Sequence, residues 1–263
     1  MYHNFKIILF LISLMITGLF SADKAEAQFF KDISFDLGYT SLQILGSNIN
    51  REELMPYNSP KVFQIGGGYN ASQSGIQMRV NFKLDDRNRF EIPVGFDYHF
   101  FTSKELLQAL TYKTRAENSV HIPSFSVGLN YTVLYMPPAN AKFYVGAEAR
   151  ASLITNQEAH YSTVGINYNG QPVSMIDDVH HYYTKEDALR FGGLVHLGMS
   201  GELEAPIYIN ARFSVGALNF LGRDGERGEL LTPIKRQIEN GITEISEAII
   251  PVFQFTLSVQ YKF

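Results

Sequence analysis

The chain has 263 residues, no cysteine and a formal net charge of −4, which excludes disulfides, thiolate chemistry and a lipid-modified cysteine. That charge offers no basic footprint for nucleic acid, so none is expected as a partner. Aromatic residues are abundant, 20 Phe and 15 Tyr, while mean hydropathy is −0.07. Such a value suits a soluble protein and equally a barrel whose strands alternate lipid-facing and lumen-facing residues.

Met1 to Ala27 has the layout of a secretory signal peptide: Lys6 ends a short n-region, Ile7 to Phe20 is apolar, and Ala25-Glu26-Ala27 offers small residues before a cut near Ala27. The apolar run holds fourteen residues, whereas a membrane-spanning helix needs roughly twenty. One domain, 28–263, is expected to follow.

From there a period of two recurs along the chain. Ile33, Phe35, Leu37 and Tyr39 alternate with Ser34, Asp36, Gly38 and Thr40, which predicts a strand over Ile33 to Leu42. Gln43 to Ser74 is polar and rich in Gly and Pro, with a short hairpin arm expected within Val62 to Tyr69. The second and third strands, Gly75 to Leu84 and Arg89 to Phe101, flank the turn Asp85-Asp86-Arg87-Asn88. Thr102 to Ser119 is a long connection in which Ser103 is placed to cap a helix running to about Tyr112. The fourth and fifth strands, Val120 to Tyr135 and Phe143 to Ile154, are joined by the proline-containing turn Met136 to Lys142.

Thr155 to Asp187 is the longest polar loop. The sixth and seventh strands, Ala188 to Gly201 and Ile207 to Leu218, are joined by the turn Glu202 to Pro206. Asn219 to Ile249 connects to the last strand and contains a helix signal at Thr232-Pro233. From Pro251 onward Phe253, Phe255, Leu257, Val259, Tyr261 and Phe263 alternate with Gln254, Thr256, Ser258, Gln260 and Lys262.

Eight strands result, joined alternately by long and short connections; ten is the other count, if parts of the first loop pair into the sheet. An even number closes an antiparallel sheet with no free edge, as lipid requires. In a lipocalin-like soluble barrel the oily face would point inward. An eight-stranded lumen is just wide enough for side chains or one small ligand, too small for about forty large apolar residues, so the oily face is expected outside. Rings cluster toward both strand ends, Phe35, Phe82, Phe90, Tyr135, Phe143, Tyr261 and Phe263 at one and Tyr39, Tyr98, Phe100, Phe125 and Phe191 at the other, as in interfacial girdles.

The alternating C-terminal residues Phe255, Leu257, Val259, Tyr261 and Phe263 resemble the assembly signal of Gram-negative outer-membrane barrels. With the signal peptide and the loop asymmetry, the whole mature chain resembles the small OmpX- and OmpA-type barrels, in the form common among Bacteroidota. The resemblance implies an all-β, transmembrane, eight-stranded up-and-down barrel in the outer membrane, with long extracellular loops. It also implies outer-membrane lipid and the barrel assembly machinery as partners, with a further envelope protein contacted through the loops. No peptidoglycan-anchoring domain is expected after the barrel, and the loops exceed the minimal OmpX pattern.

The lumen side carries Asp36, Arg79, Lys83, Glu91, Asp97, His99, Glu148, Arg150, Arg190, His196 and Arg212. Both signs on adjacent strands predict a salt-bridge network filling the interior, against the sharper readings of an ion path or a catalytic acid–base set. His160-Tyr161-Ser162 repeats the His-x-Ser spacing of lipid A deacylase barrels, but is expected in a loop rather than on a lipid-facing strand. His180-His181 with Asp177-Asp178 is expected to be solvated rather than metal-binding, since adjacent side chains of an extended chain point apart. No catalytic residue, cofactor or metal is expected. The reading is a closed, non-conducting barrel that presents its loops, with a small channel, a lipid-modifying enzyme or an accessory barrel of a secretion complex as alternatives.

Overall fold

The computed structural model describes residues 33–45, 52–54, 63–65, 69, 71–84, 89–108, 112–166, 169, 171, 179–185, 187–221 and 248–263. The signal peptide, the Asp85-Asp86 turn, the Thr232-Pro233 helix signal and Asp177-Asp178 lie outside these residues. The strands are β1 (Ile33–Ile44), β2 (Glu52–Leu54), β3 (Phe63–Ile65), β4 (Gln73–Lys83), β5 (Phe90–Gln108), β6 (Tyr112–Met136), β7 (Ala141–Gly165), β8 (Val179–Lys185), β9 (Ala188–Glu204), β10 (Ile207–Leu221) and β11 (Ala248–Lys262).

Eight of these form a closed ring. β1 pairs with β4 and β11, and the antiparallel neighbours continue through β10, β9, β7, β6 and β5 back to β4. β2 and β3 make a separate two-stranded hairpin, and β8 continues the β9 ladder along β7. Closure leaves the membrane-length part of the sheet without an open edge. Followed strand to strand, Asp36 aligns with Arg79, Gly95, Ser126, Arg150, Gly192, Leu218 and Ile250. Ile250 returns to β1 two residues beyond the Ile44–Val252 pair, ten residues along from Asp36. A stagger of that size in eight strands tilts them by ~40° to the barrel axis.

The two faces are sorted as the period of two requires. Leu37, Ile76, Val127, Leu197, Phe213 and Val259 are exposed on the outside, whereas Asp36, Gln77, Arg79, Asp97, Glu148, Arg150 and Gln254 are buried inside. This is the inverse of a water-soluble core.

Four sequence expectations are corrected. Ser103 to Gln108 is not helical: these residues belong to β5, β6 starts at Tyr112, and Lys104 pairs across with Glu117. Adding residues to a ladder already formed outweighs the weak helical preference of Glu105, Leu106 and Leu107. Thr155 to Asp187 is likewise not all loop, since β7 continues to Gly165 and β8 pairs with it. Beyond the barrel, β5 to β8 therefore form a four-stranded blade reaching about 20–30 Å along the strands. Between Ile154 and Glu158 the β7 strand carries an extra residue, where Asn156 adopts φ 49°, a left-handed conformation Asn tolerates. His160 and Ser162 consequently stand on a strand, opposite Glu117 and Arg115, rather than in a loop.

At the other end a bulge between Thr132 and Leu134 reverses the faces of β6. Tyr135 then aligns with inward-facing Lys142 and donates its hydroxyl to Asn140 Oδ1 at 2.9 Å, instead of joining the outer girdle. Finally, the inward residues are not polar along the whole barrel: Leu42, Phe101, Val120, Ile122, Ile154, Leu218, Ile250 and Val252 share the inward face and are buried.

A charged layer and an apolar seal inside the barrel

Each lumen residue is positioned by a strand whose outer side chains are apolar, so its place on the inner face follows from alternation alone. The height at which it meets its neighbours follows from the stagger. Arg79 of β4, Asp97 of β5, Glu148 and Arg150 of β7 and Arg212 of β10 converge at mid-barrel. Arg79 Nη2 lies 2.8 Å from Glu148 Oε2 and 3.9 Å from Asp97 Oδ2. Arg150 Nη2 bridges Asp97 Oδ2 at 2.8 Å and Glu148 Oε1 at 2.7 Å. Arg212 Nη1 approaches Glu148 Oε2 at 3.5 Å, and its Nη2 donates to Gln77 Oε1 at 3.0 Å. One carboxylate thus serves three guanidiniums in a site from which water is excluded.

Toward the short-turn end, Asn81 Nδ2 donates to Asp36 Oδ2 at 3.1 Å. Lys142 Nζ meets Glu91 Oε1 at 2.5 Å, and the Tyr144 hydroxyl donates to Asn210 Oδ1 at 2.8 Å. Lys142, assigned by sequence to a turn, is a lumen residue; its inward parity with Tyr144 and Glu148 was the available signal. His196 donates from Nε2 to Asn130 Oδ1 at 2.7 Å. Among the described residues the buried charges balance: Asp36, Glu91, Asp97 and Glu148 against Arg79, Lys142, Arg150 and Arg212. Arg190 differs, since it donates from Nη1 to the Leu189 carbonyl at 3.0 Å rather than joining the Asp97–Glu148 cluster.

Small residues make this density possible. A Cβ on Gly95 would lie 2.9 Å from Ser126 Oγ and 3.0 Å from Arg79 Cγ, and one on Gly198 would overlap the Tyr144 ring. The cavity left among Asp36, Arg79, Lys142 and Arg212 is about 10 Å³, enough for roughly one water.

Above the charges, toward the long-loop end, the lumen lining turns mostly apolar. Leu42, Ile44, Val120, Ile122, Ile154, Leu194, Leu218, Ile250 and Val252 form one cluster with Phe101. Tyr69 closes over it with its ring 5.4 Å from that of Phe101. His99 marks the junction, its ring edge-on to Phe101 at 6.2 Å. These aliphatic and aromatic groups offer nothing that replaces an ion's hydration shell.

Among the described residues no cluster of His, Asp and Glu has metal-holding geometry. His160 and Ser162 share the blade face that also carries the Lys104–Glu117–Arg115 ion pairs, at 3.2 Å and 2.5 Å.

The ring of pairings and the exchanged faces define the class: a small, closed, antiparallel eight-stranded β-barrel, apolar without and charged within. No protein-family model matches the chain, and no characterised protein matches it in sequence. Among solved structures the chain is similar to Ail, the attachment invasion locus protein of Yersinia pestis, at 9% identity over 88% of this chain and 97% of that one, with a TM-score of 0.37. It is also similar to Neisserial surface protein A (11% identity, 88% and 96% covered, TM-score 0.39). A third similarity is to the outer membrane protein OprG from Pseudomonas aeruginosa (9% identity, 88% and 95% covered, TM-score 0.41). The architecture itself rests on the pairings within this chain.

Proposed function

We propose that this protein is a non-conducting, non-catalytic outer-membrane barrel of the OmpX and OmpA type, whose work is done by the blade and loops it holds outside the membrane. The observation that carries this reading is the double closure of the lumen, by the Arg79–Asp97–Glu148–Arg150–Arg212 network and by the apolar layer around Phe101. Membrane residence is supported by the outer belt. Ile207 to Ala217 on β10 spans ten residue steps, or ~25 Å along the axis at ~3.3 Å per residue and ~40° tilt, the height of an outer-membrane apolar band. Outer-membrane lipid and the assembly machinery are the partners this location calls for, after cleavage of the leader near Ala27. A surface or envelope protein meets the blade, since binding positions concentrate on extensions of rigid scaffolds.

Purified protein in planar bilayers is expected to give no stable ion conductance. Steady single-channel currents from the wild-type barrel would favour a small channel and overturn the proposal. Envelope fractionation tests the location separately, and mass spectrometry of lipid A and phospholipid after incubation tests the absence of catalysis.

A further inference from the structure

Between the two girdles the outward face of the eight strands carries, among the described residues, no Lys, Arg, Asp or Glu and one His, His121 of β6. It stands opposite Phe100 of β5, ten residue steps from the Phe90–Tyr131 pair of the other girdle. At ~3.3 Å per residue and ~40° tilt that is ~25 Å along the axis, so His121 lies at the long-loop edge of the apolar band. Its ring packs against that of Phe100 with centroids 4.7 Å apart, and its Nδ1 is hydrogen-bonded to the Tyr98 hydroxyl. A phenol that donates to Nδ1 keeps the ring proton on Nε2, and Nε2 has no partner among the described residues. Ionisable side chains at membrane depth are costly, and they mark sites more often than they fill space.

The rows above His121 on the same face are hydroxylic and then charged. Thr102 stands opposite Ser119, and Lys104, 69% exposed, opposite Glu117. Glu117 is shared by Lys104 at 3.2 Å and Arg115 at 2.5 Å, so Lys104 can turn away while Glu117 stays paired. Exposed pairs of this kind contribute little, and a lysine stem readily lies along a strand toward the membrane surface. On the other flank Glu158 of β7 stands opposite Ser119, and Asp187 lies just ahead of β9, so an anion is admitted from the β5 side. Below the His121 row, Ile76 and Val94 expose apolar side chains toward lipid.

We propose that this face of β5 and β6 is a binding site for a lipid whose headgroup ends in a phosphate monoester, an inference that rests on the membrane residence proposed above. His121 donates from Nε2 to one phosphate oxygen, the Thr102 and Ser119 hydroxyls serve a second, and Lys104 supplies the charge. A monoester presents three strong acceptor oxygens and close to two negative charges, which matches several donors better than a capped diester does. The acyl chains follow Ile76 and Val94 into the apolar band. A lipid is the occupant, rather than a free phosphate, because the donors sit where the apolar surface ends and water begins.

The test first refolds the full-length mature barrel into phosphatidylcholine vesicles, where heat-modifiable migration and protease protection report insertion alone. Lipid retention is then read by native mass spectrometry from non-ionic detergent, with phosphatidic acid and phosphatidylcholine of identical chains. One phosphatidic acid is expected to bind about tenfold or more tighter than phosphatidylcholine. His121→Phe keeps the stack on Phe100 but removes Nε2, and should abolish that preference; Lys104→Gln should weaken it by about threefold or more. Phe253→Leu, on the far side of the barrel, should leave it unchanged. Should His121→Phe fail to fold, Lys104→Gln carries the test from outside the apolar band. A barrel that inserts but shows no preference overturns this proposal alone, whereas one that fails to insert overturns the membrane reading and this proposal with it. The proposal is equally overturned if both site variants fold and keep the preference, if Phe253→Leu loses as much, or if glycerol phosphate displaces the lipid at equal concentration.

Discussion

Replacing Glu148 with alanine removes the carboxylate that Arg79, Arg150 and Arg212 share, at 2.8, 2.7 and 3.5 Å. The Glu148 side chain and that of Arg150 are fully buried, and those of Arg79 and Arg212 nearly so. The cavity next to this cluster, among Asp36, Arg79, Lys142 and Arg212, has room for about one water, so few waters stand ready to replace the lost oxygens. Breaking a buried pair in this way costs about 3–5 kcal/mol, most of it the burden of uncompensated guanidiniums. Glu148→Gln keeps the shape and a hydrogen-bond acceptor but loses the charge, so its cost is expected close to that of alanine. The reference is Lys104→Ala, which breaks an ion pair at 3.2 Å whose lysine is 69% exposed; such pairs contribute about 0–1 kcal/mol. Equilibrium urea unfolding in phospholipid vesicles, followed by tyrosine emission and by heat-modifiable migration, measures all three. If Glu148→Ala costs no more than Lys104→Ala, the arginines are solvated, and the picture of a dry ionic plug fails.

Phe101→Ala opens the apolar layer beneath Tyr69 and should lower stability by about 3–5 kcal/mol in the same unfolding assay; a loss under about 1 kcal/mol would mean the layer is loosely packed. Gly198→Val places branched carbons where the Tyr144 ring lies, so the hydrogen bond to Asn210 is lost and overpacking costs about 1–3 kcal/mol. A near-neutral Gly198→Val would contradict that close approach. On the blade, hydrogen bonds from Lys104 and then Arg115 hold the Glu117 carboxyl below its ordinary value of 4.5. Its depressed folded value means the pairing is fully present above pH 4.5 and is lost as pH falls through the lower folded value. Carboxyl carbon resonances should titrate accordingly in the wild type and move back toward 4.5 in Lys104→Ala; identical titrations in both would refute the assignment.

Alternation along the chain determined the class of fold by itself. Phe253 to Phe263 against Gln254 to Lys262 is a strand with two unlike faces, and eight such segments joined by alternating long and short connections leave few topologies other than an up-and-down barrel. The volume of the apolar set likewise decided which face is outside, because the large side chains do not fit an eight-stranded lumen. The blade was illegible. Ser103 to Gln108 and Tyr112 to Ser119 have little pattern of their own and become strands by extending a ladder already in place.

Periodicity names the face a side chain occupies but not its height, and height is what the tertiary structure decided. Asp97 and Glu148 are 51 residues apart and meet the same arginine only through the register of β5, β6 and β7. Leu42 and Asp36 have the same parity, yet one belongs to the apolar seal and the other to the polar layer below it. Lys142 reaches the lumen side at the start of β7, where its parity with Tyr144 and Glu148 marks it, whereas Tyr135 does so through a bulge in β6 that alternation does not place. The charged layer and the apolar cluster are each assembled from residues on separate strands. Their meeting depends on register, a property of the closed sheet rather than of any one segment.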